Sequence, residues 1–393
     1  MKKNPTLMIL MVIMLVNALS YGTIIPLLYP YAARFGINPF GLSLLFASFS
    51  LAQLISTPII GRLADKYGRK PLLLMCLAGT GIGLALFAAA TNPLMLFVAR
   101  ILDGITGGNI SVAQAVIADT TQGKDRAQAF GLLGAAFGFG FLFGPALGGF
   151  LSQISLAAPF WFASALALGG TLAGTFMLKE TLDKSKRQPA KQPFFSPHVI
   201  LEALTNPLTG IILVISFLFM SALNAWIIGF QTFSNDILKL PARDIGLMFA
   251  TFGLISIIMQ AWGIRVLLAK FPHKKSILVG SLICSIIIVT PAFFVHTFVP
   301  FFILVLIFGI VSTPMNLIIT GLLSERTKAE DQGGILGINQ SIVSLGQIVG
   351  PLIAGTIAIT SVNAVFPVAA AMMCLALIAT KWLYVPKVKL VDL

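Results

Sequence analysis

The sequence has 393 residues, of which 57% are hydrophobic and 10% charged, and it carries a net charge of +13. A soluble domain of this size has no use for so much apolar surface, so water is excluded as the main solvent. The basic residues cluster in alternate loops, which argues against nucleic acid as their partner, and Cys76, Cys284 and Cys374 stand singly in apolar runs, which argues against a disulfide or metal framework.

A helix that crosses a bilayer needs roughly 20 mostly apolar residues, and about twelve such runs are expected here. Examples are Leu7 to Leu28, Leu72 to Ala90, Pro207 to Phe230 and Ile277 to Val295. The first run follows Lys2 and Lys3 and continues through Tyr21, Gly22 and Pro26 without a small-residue cleavage pattern, so it is taken as a retained span and not as a secretory signal. Continuous apolar runs, with no period-two alternation, exclude a closed β-barrel. Lys and Arg fill the loops around residues 62–70, 124–126, 179–191, 265–275, 326–328 and 381–389, whereas Arg34, Lys239 and Arg243 fall on the other side. The positive-inside rule then places both termini in the cytoplasm and requires an even number of spans.

Near the midpoint a polar stretch rich in Lys, Gln and Pro interrupts the apolar runs. It divides the chain into an N-terminal six-helix half (1–180), a cytoplasmic linker (181–204) and a C-terminal six-helix half (205–393). The halves repeat one another. Asp119, Gly131, Gly140, Gly144, Pro145 and Gly149 are matched at one offset of 206 residues by Glu325, Gly337, Gly346, Gly350, Pro351 and Gly355. Repeats in the same order and orientation are related by an axis along the membrane normal, and they enclose a site near the midplane. The expected fold class is an all-α membrane protein of twelve transmembrane helices in two parallel six-helix repeats.

Between the second and third spans lies Gly61, Arg62, Leu63, Ala64, Asp65, Lys66, Tyr67, Gly68, Arg69, Lys70, Pro71, a short turn dense in glycine and charge. It resembles, at every position, the Gly-x-x-x-Asp-x-x-Gly-Arg-Lys/Arg loop of the major facilitator superfamily. The resemblance implies the major facilitator fold and a conformational latch made of Gly61, Asp65, Gly68, Arg69, Lys70 and Asp119. In it Asp65 would face the start of span eleven near Gln332 and Gly333, and Arg69 would approach Asp119. The corresponding second-half loop, Lys270 to Lys275, has no acid, so the latch is expected to be one-sided.

In span five, Gly131, Gly140, Gly144, Pro145, Gly148 and Gly149 permit close packing and a bend. Their spacing resembles the signature of the superfamily's drug:proton antiporter branch. Span four carries Arg100 and Asp103, three residues apart and so on one helical face. Charges inside a span are costly and usually face a cavity or each other. The family places an arginine linked to proton movement where Arg100 stands, and Asp103 is the one acid expected well inside the hydrocarbon region, so Asp103 and Arg100 are the proton-coupling candidates; a permanent intrahelical ion pair is the alternative. Leu15 to Gly22 and Ile110 to Thr121 resemble tetracycline and multidrug efflux proteins, whose first span commonly carries an acid where this one has Asn17.

Asn17, Tyr21, Gln53, Asn224 and Gln340, near mid-span on helices of both halves, are the substrate-cavity candidates; interhelical bonding is the alternative role for each. The resemblance implies a monomeric secondary transporter of the bacterial inner membrane. It would export a small amphipathic or drug-like molecule in exchange for protons, with lipid as its surroundings and no metal, cofactor or enzymatic activity. A proton-independent facilitator or uptake carrier is the alternative, and a non-transporting sensor a more distant one. If the latch operates, Asp65→Asn lowers transport at an unchanged level of protein in the membrane; flux assays paired with quantitative blots check this.

Overall fold

The computed structural model of the chain describes residues 5–183, 185, 187, 197–271, 273–327 and 332–383. Part of the expected linker, 181–204, lies outside the described residues, namely 184, 186 and 188–196; a short helix, Pro197–Thr205, spans its end. Among the described residues, twelve helices are long and apolar enough to cross a membrane. In the first half these are α1 (Thr6–Phe35), α2 (Pro39–Tyr67), α3 (Arg69–Ala88), α4 (Pro93–Thr120), α5 (Gln128–Leu151) and α6 (Ala158–Met177). In the second they are α7 (Gly210–Ile237), α8 (Ala242–Lys270), α9 (Lys274–Phe293), α10 (Phe298–Glu325), α11 (Gly334–Thr360) and α12 (Val365–Trp382).

Local chemistry starts and interrupts these helices. Asn38 and Asn92 cap α2 and α4, accepting hydrogen bonds from the backbone N–H of Gly41 and Met95, and a proline follows each cap at the first helical position. Gly68 separates α2 from α3 at φ 114°, a conformation that favours glycine. Inside α4 the helix breaks over Thr106–Gly108. The seventh helix continues past its apolar run through a π turn at Phe233–Ile237, and α8 contains another at Met259–Gly263.

The helices pack through missing side chains. A Cβ on Gly144 would lie 2.7 Å from the backbone of Gly22 and Thr23 in α1, and one on Gly148 would lie 3.1 Å from Leu27. Gly140 abuts Ala18 just as tightly. The other side of α5 meets α8: a Cβ on Gly149 would sit 2.8 Å from the Arg243 carbonyl oxygen, and one on Gly246 would sit 2.6 Å from that of Pro145. The second half repeats both contacts at the same offset. Gly346 and Gly350 of α11 press on Met220 and Ser221 of α7, and Gly355 presses on Ser43 and Phe40 of α2. The α11 copy of the glycine pattern therefore performs the packing of the original.

These contacts decide which end is shut. We call the end bearing the loops after α2, α4, α8 and α10 the basic end. Contacts between the halves, Gly149 with Arg243 and Gly355 with Phe40, lie at the opposite end. Toward the basic end a Cβ on Gly61, Gly131, Gly134, Gly334 or Gly337 would meet nothing within 4 Å. Gly131 precedes Gly149 by 18 residues, about five full turns, so both share the α8-facing side of α5. The halves thus touch at the opposite end and part toward the basic end. The same substitution should have opposite effects along this helix. Gly144→Ala overpacks α1 and is expected to cost about 1–3 kcal/mol, whereas Gly131→Ala gains about 0.5–1 kcal/mol of helix propensity. Melting temperatures of the detergent-solubilised protein give the signs.

Candidate transport pathway

Arg100 and Asp103, just before the break in α4, are each only 5% exposed. An isolated charge at that depth is costly, by at least about 2.5 kcal/mol, and these two are paired. Arg100 Nη1 donates to Asp103 Oδ2 at 2.9 Å. The guanidinium lies over the Phe49 ring of α2, 4.1 Å from its centroid, where the ring's quadrupole adds a second favourable contact. Gly83 lets α3 come close, since a Cβ there would be 3.3 Å from that of Asp103. Arg100 also lines a cavity with Tyr21, Ile24, Ile25, Leu28 and Phe46. The Tyr21 ring sits between Phe49 and Phe141, with centroid separations of 6.1 and 6.0 Å.

A helix interrupted in lipid must have its freed carbonyls satisfied by neighbours. Ser56 Oγ of α2 donates to the Gly104 carbonyl at 3.1 Å, and Gln53 Nε2 donates to that of Gly107 at 3.0 Å. The glycines admit these side chains: a Cβ on Gly107 would be 2.6 Å from Gln53 Nε2. Asn17 is tied to the same helix, accepting from Asn109 Nδ2 at 2.9 Å, with both residues buried. Asn224 donates to the Met220 carbonyl of its own helix at 2.9 Å, and Gln340 is exposed on α11. Of the five substrate-cavity candidates, Tyr21 lines the cavity beside Arg100, while Asn17 and Gln53 are engaged in bracing α4. The second half faces its own interior with rings: Trp226, Phe230, Phe249, Phe252 and Phe308 pack with centroids as close as 4.5 Å.

At the basic end Arg69 stands between two acids. Its Nη1 donates to Asp65 Oδ1 at 2.6 Å and its Nε to Asp119 Oδ2 at 3.0 Å. Asp65 is thus paired within its own half, at the end where α2 and α11 diverge. Sequence reasoning missed Glu180, whose carboxylate accepts from the backbone N–H of Arg69 at 2.9 Å and of Lys70 at 3.3 Å, so it caps α3. Lys70 Nζ donates to the Thr175 carbonyl at 2.7 Å. A Cβ on Gly68 would collide with Glu180, a second reason for glycine there. The second half is less one-sided than its loop implies, because Lys274 pairs with Glu325 at 2.5 Å. Lys274 opens α9 as Arg69 opens α3, and Glu325 is the repeat partner of Asp119. A further acid, Asp236, had no place in the apolar run ending at Phe230; the π turn carries it into α7.

Residues 10–319 and 228–392 match the model of the Major Facilitator Superfamily. The tetracycline resistance protein, class C, of Escherichia coli is 32% identical over 363 residues, covering 90% of this chain and 89% of that one. Multidrug resistance protein 2 of Bacillus subtilis (strain 168) is 28% identical over 344 residues, 86% of this chain and 84% of that one. Among solved structures, the nucleoside transporter NupG superposes with a TM-score of 0.78 at 14% identity, over 96% of this chain and 98% of that one. A bacterial homologue of the human lysosomal transporter Spinster, in an inward-facing and unoccupied conformation, gives 0.79 at 15% identity, over 98% of this chain and 100% of that one. These two share the fold.

If Gln53 braces α4, Gln53→Leu leaves a buried carbonyl unpaired. The expected cost is about 1–3 kcal/mol of stability, with little change in substrate affinity. Paired thermal-melt and binding measurements would give the reverse pattern for a residue that holds the ligand.

Proposed function

This chain belongs to the Major Facilitator Superfamily, and we propose that it exports a small amphipathic or drug-like molecule across the bacterial inner membrane in exchange for protons. The observation that carries the reading is the buried Arg100–Asp103 pair, set beside a cavity in a two-halved bundle that is shut at one end. A pair of this kind has two stable states. While Asp103 is ionised, Arg100 neutralises it; on protonation the guanidinium loses its partner and its donors become free for a different acceptor. The related tetracycline and multidrug resistance proteins support a drug-like substrate.

Orientation follows from charge. With the basic end in the cytoplasm both termini lie inside, and the described state opens inward. The substrate enters from the cytoplasm and leaves once the contacts at the opposite end part. The Arg69 cluster and its counterpart Lys274–Glu325 then flank the cytoplasmic opening in the two halves, as elements of the latch. The chain acts as a monomer in lipid and needs no cofactor.

An uncoupled facilitator is the second reading, favoured by one observation: Asn17 stands where an acid was expected, its amide is bound to Asn109, and α1 therefore offers no carboxylate for coupling. The two readings divide on Asp103. In everted vesicles with an imposed pH gradient, Asp103→Asn is expected to abolish proton-driven accumulation of substrate while preserving substrate counterflow. Undiminished accumulation by the variant would remove Asp103 from the mechanism, and gradient-independent flux in the unmodified protein would establish the facilitator.

A further inference from the structure

The closed end is held by more than glycine contacts. Tyr29 follows the bend at Pro26 in α1, and it is 3% exposed although it lies where the two halves meet. It sends two hydrogen bonds across to α7. Its hydroxyl donates to Asp236 Oδ2 at 2.6 Å, and its backbone N–H donates to Gln231 Oε1 at 3.3 Å. Asn235 Nδ2 donates to the other carboxylate oxygen of Asp236 at 2.8 Å, which fixes the group from its own helix.

The local backbone is specialised on both sides. Tyr29 sits two residues beyond the 3-10 segment Ile25–Leu27, and Asp236 lies within the π turn Phe233–Ile237. Either irregularity rotates the residues beyond it relative to a straight helix, and π turns concentrate where a side chain has to be re-aimed. In a continuous α7 the carboxylate would point elsewhere. Around the bond the packing is polar yet incomplete: Gln231 and Ser234 are fully buried, and Gln231 Nε2 and Ser234 Oγ have no hydrogen-bond partner. Such groups gain hydration when an interface opens, so this one combines a strong bond with a built-in reward for letting go.

From this arrangement we infer that Tyr29 and Asp236 form a clasp between the halves, and that breaking it is the step that opens the end opposite the basic loops. The clasp belongs to a different part of the molecule from the Arg69 cluster and is of a different kind. Arg69 ties helices within one half, whereas Tyr29 joins one half to the other. The inference rests on the reading that the chain alternates between two open ends. Its test needs neither substrate nor protons, so its failure leaves the export reading untouched.

The experiment measures distance. In a chain whose Cys76, Cys284 and Cys374 are replaced by alanine, spin labels are placed at Gln153 and His296. Both are exposed positions at the closed end, one in each half. The parent should show a dominant short-distance population. Tyr29→Phe keeps the buried ring and removes only the hydroxyl. It should raise the long-distance population about tenfold, the effect of losing one hydrogen bond to a charged group. Asp236→Ala should do the same, and the double variant should add nothing further. Should Asp236→Ala fail to purify as a single species, Asp236→Asn takes its place with a smaller shift in the same direction. Unchanged distance distributions in the Tyr29 and Asp236 variants would overturn the clasp.

Discussion

Contact between backbones, made possible by the absence of side chains, is the interaction on which this structure depends. In lipid the hydrophobic effect does not push helices together, so close packing and interhelical hydrogen bonds must do so. The fifth helix shows how much one element can carry. It presses Gly140, Gly144 and Gly148 on α1 of its own half, and it presses Gly149 on α8 of the other. The first set builds a half; the second joins two halves. Because α11 repeats both contacts against α7 and α2, the bundle has a pair of such struts related by its internal symmetry.

The interior charge rests on that frame. Burying Arg100 and Asp103 requires α3 to approach through Gly83 and α2 to approach through the glycines at the break in α4. The break would itself be costly without Gln53 to satisfy the Gly107 carbonyl, while Ser56 adds a second bond to the Gly104 carbonyl that the Gly107 N–H already engages. Cavity wall, ion pair and helix break are therefore parts of one construction, and none of them is a loop feature that could vary by itself. The second half contributes a wall of rings in place of charge, so the two repeats share an architecture while differing in chemistry.

Much of this was legible in the sequence, and the boundary of legibility is physical. The spans were visible because hydrocarbon demands long apolar runs, and the repeat because Gly140, Gly144 and Gly149, which meet neighbouring helices too closely for a larger residue, recur at one offset as Gly346, Gly350 and Gly355. The nearness of Arg69 to Asp119 followed from a family resemblance, since spacing alone does not say that α3 starts beside the end of α4; the pairing of Asp65 with Arg69, in place of the start of α11, did not. Side-chain partners were harder. Gln53 and Asn17 have the composition of ligand handles, but a polar group in a span looks the same whether it faces a cavity or a broken helix. Glu180 and Asp236 escaped notice because their roles depend on backbone events, a helix start and a π turn, that leave little trace in residue type.

Gly131 and Gly134 of α5, with Gly334 and Gly337 of α11, extend the glycine pattern beyond the point where the halves part. Closing the basic end over such a surface would freeze no rotamers at these positions, because glycine has none to lose. Contacts of the same kind at the other end release none when they open. On these strips of helix, exchanging one closed end for the other is therefore nearly neutral in side-chain entropy. The equilibrium between the two shapes is left to a few polar bonds and to whatever occupies the cavity, and a scaffold so evenly weighted can be turned by the binding of one small molecule.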